Sequence, residues 1–100
     1  MATGQPYTYS VWQVKPGQEE EFVRRWTEFA DWTALQGLAA AAKLLRDVED
    51  PSKYVSFGPW ESLDTIRRWR HQPGFHERVV RLHEVLESFE PSTLELVVDR

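Results

Sequence analysis

The chain contains no cysteine, which excludes disulfides, thiol nucleophiles and thiolate-held metals. Nor is there a long apolar run. The longest unbroken one is Leu38–Ala42, far short of the roughly 20 residues that cross a bilayer as a helix. Positive charge is also in deficit: twelve Lys and Arg against sixteen Asp and Glu give a formal charge of −4. Nucleic acid and anionic membranes attract basic surfaces, so neither is an expected partner. Met1–Pro6 lacks the basic start and apolar stretch of a signal peptide, and the expected compartment is the cytoplasm. No internal repeat, linker or low-complexity tract is visible.

With 41% apolar and 28% charged residues, the composition is that of an ordinary globular domain. One hundred residues form one domain and leave no room for a separate catalytic module. A domain of this size buries only part of its apolar surface, so some is available to a partner subunit. The one excess is tryptophan, five residues in all. Rings of that size need a core or a pocket that uses their flat faces and single N–H donors.

Tyr7–Val14 alternates aromatic, hydroxyl and aliphatic residues until Pro16-Gly17 ends the run, which predicts a strand. Tyr7, Tyr9 and Val11 share one face, and Thr8, Ser10, Trp12 and Val14 the other. Neither face is fully polar, as in a strand covered on both sides, by helices on one and by a second subunit on the other. Phe22, Trp26, Phe29, Ala30 and Thr33 then recur at helical spacing, with Glu19, Glu20 and Glu21 in the first turn, where carboxylates favour the helix dipole. Residues 38–47 have helical propensity. Yet Gly37 in front and Asp50-Pro51-Ser52 behind favour a strand in a hairpin with Tyr54–Gly58, which alternates. Ser62 starts a second helix, carrying Leu63, Ile66 and Trp69, which Pro73-Gly74 interrupts. The stripe Phe75, Val79, Leu82, Leu86, Phe89 predicts that the helix resumes and runs until Pro91 stops it. A last strand is expected through Leu94, Leu96 and Val98. The order β-α-β-β-α-β, with a broken second helix, is the ferredoxin-like α+β pattern with a four-stranded antiparallel sheet.

Several segments resemble the antibiotic biosynthesis monooxygenase family. They are Val14–Phe22 at the first strand-to-helix junction, Leu45–Tyr54 at the central hairpin, and Trp60-Glu61-Ser62 followed by Trp69, Pro73 and Phe75 at the broken helix. The match spans roughly residues 7–98, and their order is more specific than any one piece. The resemblance implies a homodimeric α+β barrel in which two sheets pack face to face, with a pocket inside each subunit between helices and sheet. It further implies oxidation of aromatic small molecules by molecular oxygen without a cofactor, although members with other chemistry mean that fold alone cannot choose the reaction. A haem-degrading branch carries an asparagine and an iron-binding histidine at positions that match Ser10 and Val79 here. Neither residue can serve, so haem degradation is not expected.

Oxygenation without a cofactor makes the substrate the electron source. A phenol or anthrone must lose a proton, and the protein must stabilise the resulting oxyanion in a dry, flat-walled pocket. Trp69 is the foremost candidate, as pocket wall or as a core ring closing the helix onto the sheet. Ser10, Trp12, Trp26, Phe75 and Val79 are the expected substrate-binding residues, while Trp32 and Trp60 are read as structural. His71, His76 and His83 have the side chains suited to proton transfer near neutrality, and His76, just after the helix break, is the candidate base or shuttle. Solvent exposure is the plainer state for any of them. His76 and His83 lack a carboxylate at ligand spacing, so no metal site is expected. Arg67, Arg68 and Arg70 either contact an anionic ligand or form a solvated face balancing Glu61 and Asp64. The expected function is a cofactor-independent monooxygenase acting on a flat phenolic, anthrone or quinol-like compound. A dimer that only binds an aromatic metabolite, and a cyclase or isomerase on the same scaffold, are the rivals.

Overall fold

A computed structural model of the protein describes residues 4–38 and 41–100. Its elements run β1 (Pro6–Val14), α1 (Glu19–Leu35), β2 (Lys43–Arg46), β3 (Lys53–Pro59), α2 (Leu63–Arg70), α3 (Phe75–His83) and β4 (Leu86–Glu95). The strands make one antiparallel sheet in the order β2-β3-β1-β4. This is the expected ferredoxin-like α+β arrangement, with the second helix split into α2 and α3.

Alternation along β1 sends Trp12 and Val14 toward the helices, where they join Phe22, Phe29, Tyr54, Leu82, Val85 and Leu86 in the core. Phe22 and Val14 are fully buried. Helix α1 has no side-chain cap, but Glu19, Glu20 and Glu21 occupy its first turn, complementing the positive end of the dipole. Helix α2 is capped by Ser62, whose hydroxyl accepts from the Thr65 N–H at 3.1 Å, satisfying one of the orphan donors of the first turn. The break falls at Gly74, whose φ of 92° is a conformation that glycine adopts without a Cβ penalty.

Two boundaries depart from the sequence reading. Of the strand expected over 38–47, β2 is only Lys43–Arg46. Leu38 precedes it outside any strand, and residues 39 and 40 lie outside the described set. The larger correction is at the other end. Helix α3 stops at His83, and Leu86–Phe89 belong to β4. Gln13 pairs with Ser88 and Val14 with Leu86, so Glu87 is an extra residue in the ladder. Such a bulge lets Leu86 and Phe89 face the core together despite their odd separation, and this mimics helical spacing. Pro91 therefore does not stop a helix: it sits within β4, opposite Ser10, on an edge strand where a missing N–H can face outward. The expected last strand through Leu94, Leu96 and Val98 is displaced as well. Strand β4 ends at Glu95, and beyond it Leu96 donates its N–H to the Gln5 carbonyl at 2.9 Å and accepts from the Gly4 N–H at 2.7 Å.

Candidate active site

The inward face of the sheet is apolar at one end and hydroxylated at the other. Trp12 stacks on Phe89 of β4 at 4.4 Å between ring centroids. Two residues back along β1 stands Ser10, flanked by Ser56 on β3 and Pro91 on β4; two further back stands Thr8, flanked by Gly58 and Thr93. Helix α1 covers this floor with Trp26, Phe29 and Thr33, and the α2–α3 segment closes it with Trp69, Phe75 and Val79. Together they enclose a pocket of about 730 Å³, within the range of small-molecule sites.

Three of its tryptophans are fixed through their only polar atom. The Trp12 indole N–H donates to Ser56 Oγ at 2.9 Å, that of Trp60 to Thr8 Oγ1 at 2.8 Å, and that of Trp69 to Thr33 Oγ1 at 2.9 Å. Thr33 passes its own proton to the Phe29 carbonyl at 2.9 Å, so that pair is closed. Thr8 and Ser56 are different. Each hydroxyl has an accepting lone pair occupied by an indole, and among the described residues neither has an acceptor for its own proton. A hydroxyl rotates to suit its partners, and these two have protons to offer to the pocket. Ser10, between them, has no side-chain partner among the described residues and also lines the pocket. Trp69 packs edge-on to Phe75 at 4.9 Å and tilted against Trp60 at 4.8 Å, so its ring is both pocket wall and core.

Ser10, Trp12, Trp26, Trp69, Phe75 and Val79, all singled out from the sequence, line this one pocket. His76 does not: it is exposed in the first turn of α3 and outside the lining. His71 is exposed with Nδ1 at 2.7 Å from the Arg67 carbonyl, and exposed His83 meets the edge of Phe89 at 5.4 Å. Sequence reasoning placed Thr8 on the Trp12 face of the first strand and Thr33 on the apolar stripe of the first helix, but gave neither of them, nor Ser56, a part in the site, and read Trp60 as structural only. Their partners are 36 to 52 residues away, beyond the reach of any local pattern. The charged residues of the lining are Asp31 and Arg70. Among the described residues no group of acidic or histidine side chains could hold a metal, and no helix is long and apolar enough to cross a membrane.

Tyr54 lies deeper in the core, tilted on Phe22 at 5.0 Å. Its buried hydroxyl has no protein partner among the described residues. It is not part of the pocket lining.

Comparison with known proteins follows the same lines. The model of a family described as antibiotic biosynthesis monooxygenase matches residues 9–81. No curated protein sequence matches the chain. Among solved structures, the chain is similar to SnoaB of Streptomyces nogalater, a cofactor-independent oxygenase. The TM-score is 0.87 at 23% identity, over 96% of each chain. It is also similar to a conserved protein of Methanosarcina mazei Go1, with a TM-score of 0.85 at 17% identity over 95% of each chain. At such identities these likenesses establish the fold.

Proposed function

The chain belongs to the antibiotic biosynthesis monooxygenase family, and from that premise we propose that it is a cofactor-independent monooxygenase. Its substrate would be a flat phenolic, anthrone or quinol-like small molecule, and its working form a cytoplasmic homodimer. The observation that carries this reading is the pocket itself: four tryptophans on its walls and, on its floor, hydroxyls with protons to donate.

Flat indole walls suit a planar polycycle, because offset and edge-on aromatic contacts add to the area buried. Ser10, Ser56 and Thr8 suit a ring oxygen that becomes anionic. Once such a substrate loses its acidic proton, the negative charge on that oxygen is held by donors already aimed at it, at no cost of reorganisation. The electron-rich carbon then reduces molecular oxygen. For an anthrone the balance closes on the substrate alone: the CH₂ carbon gives up two hydrogens, one oxygen atom becomes its carbonyl, and the other leaves as water. Exclusion of solvent by Trp12, Trp26 and Trp69 protects the intermediates. His76 is no part of this scheme, since it stands outside the pocket; the acidic proton leaves by the solvent-facing mouth.

One observation favours the rival in which the protein only binds its ligand: the charged side chains of the lining, Asp31 and Arg70, are both exposed, so among the described residues no charged base is held deep in the pocket. Oxygen uptake by metal-free protein against anthrones, naphthols and quinols separates the two. Uptake that falls by about ten- to a hundredfold in Ser10→Ala, a variant that removes one oxyanion donor, is the expected result. Saturable binding with no uptake from any compound would make the protein a binding dimer or a cyclase.

A further inference from the structure

Helix α2 carries three arginines near its C-terminal end, and they are placed differently. Arg67 and Arg68 both turn to Asp64, at 4.0 and 3.4 Å, and are outside the pocket lining. Arg70 lines the pocket and, among the described residues, has no acidic partner within ion-pair distance. Its Nη2 instead approaches Thr93 Oγ1 at 3.4 Å. Thr93 is the β4 neighbour of Thr8, so the guanidinium reaches over the inward face of the sheet beside the hydroxylated floor.

Resting on the aromatic-substrate reading, we propose that the ligand carries a carboxylate and that Arg70 receives it at the pocket mouth, as a specificity-determining residue. A guanidinium has five N–H donors in a planar fork matched to a carboxylate, and one long bond to Thr93 leaves that fork available. The floor fixes where the rest of the ligand lies. Thr8 and Ser10 are two residues apart on β1, roughly 7 Å along the strand, about the length of a fused two-ring system. A ring lying along the tryptophan walls thus directs an oxygen toward Ser10 and Ser56 while its acidic substituent points toward Arg70. Asp31, on the α1 side of the same lining, acts against a carboxylate placed near it. The two charges together select one orientation of an acidic ligand.

The test is calorimetric titration of the whole protein with a hydroxynaphthoate whose hydroxyl and carboxylate lie at opposite ends of the rings, alongside its uncharged carboxamide. Charge-assisted pairing at a partly exposed site predicts about a five- to tenfold preference for the acid, reduced by added salt. Arg70→Gln should erase the preference, and Asp31→Asn should widen it. Equal binding of acid and carboxamide by the wild-type protein, or a preference that survives Arg70→Gln, overturns the role of Arg70 and leaves the aromatic pocket standing. Failure of both compounds to bind overturns the aromatic reading and this proposal with it.

Discussion

A Cβ built on Gly58 would stand 2.5 Å from the carbonyl oxygen of Ala41 and 3.2 Å from the Cα of Ala42. Both are backbone atoms, which cannot rotate aside, and both belong to the segment that crosses the pocket end of β3. Gly58→Ala should therefore cost about 1–3 kcal/mol through forced displacement, read as a lower urea midpoint with an unchanged slope. Tyr54 is the opposite case. Its buried hydroxyl has no protein partner among the described residues, so Tyr54→Phe keeps the ring on Phe22 and removes a polar atom that burial penalises. Thermal melts should show this variant at least as stable as the wild type, by up to about 1 kcal/mol. The sequence made the apolar residues of the pocket lining legible, because Trp12, Trp26, Phe75 and Val79 announce themselves by size and period and Trp69 by its place beside the helix break. It hid the hydroxyls, because Ser56 and Thr8 acquire their role only when a distant strand or turn brings an indole to them.

At the scale of elements, β4 was the stretch least open to reading. One extra residue, Glu87, gives a strand the spacing of a helix, and only the pairing partner, Val14 or Gln13, distinguishes the two. The split of the second helix was visible, since Pro73 and Gly74 mark it directly. Helix α1 is tied to the end of α3 by charge. Arg25 Nη1 donates to the Arg81 carbonyl at 2.6 Å and to Glu84 at 2.7 Å, while its Nε reaches Glu21 at 2.6 Å. Arg24 and Arg25 together hold the Glu21 carboxyl down from an ordinary 4.5 to about 2. The Ser52 hydroxyl lowers Glu19, and the backbone N–H groups of Glu49 and Asp50 lower Asp47. A carboxyl whose folded pKa lies below its unfolded one stabilises the fold above the unfolded value and loses that contribution as pH falls through the folded one. Melting temperature should thus decline as pH drops from about 4.5 toward about 2. Glu21→Gln should flatten part of that decline.

For the molecule as a whole, the sheet face turned away from the helices sets the expectation. Val11 pairs with Val55, which pairs with Leu45, and Tyr9 pairs with Phe57 in the adjacent row. Leu45 and Leu94 are 50% and 46% exposed in the isolated chain, apolar area of the sort that a second copy would cover. Sedimentation should give a dimer, and Val11→Lys, at the centre of that face, should weaken association by about 2 kcal/mol or more without unfolding the subunit. That neither face of β1 is fully polar was legible from the start, because alternation is a local property; how far the edge strands extend was not. The tryptophans also give the molecule an optical character. Trp12, Trp26, Trp60 and Trp69 border one space, while Trp32 sits apart beneath the Arg78 guanidinium at 4.7 Å. Most of the intrinsic emission therefore originates around a single pocket, and Trp60 and Trp69, 4.8 Å apart, are near enough for their excited states to mix. A chromophoric guest entering that space would dim four of the five emitters and disturb the circular dichroism of the close pair. Trp32, one ring removed behind Phe29 at 6.0 Å, would be dimmed less than the other four, so the protein carries its own gauge of occupancy without any label.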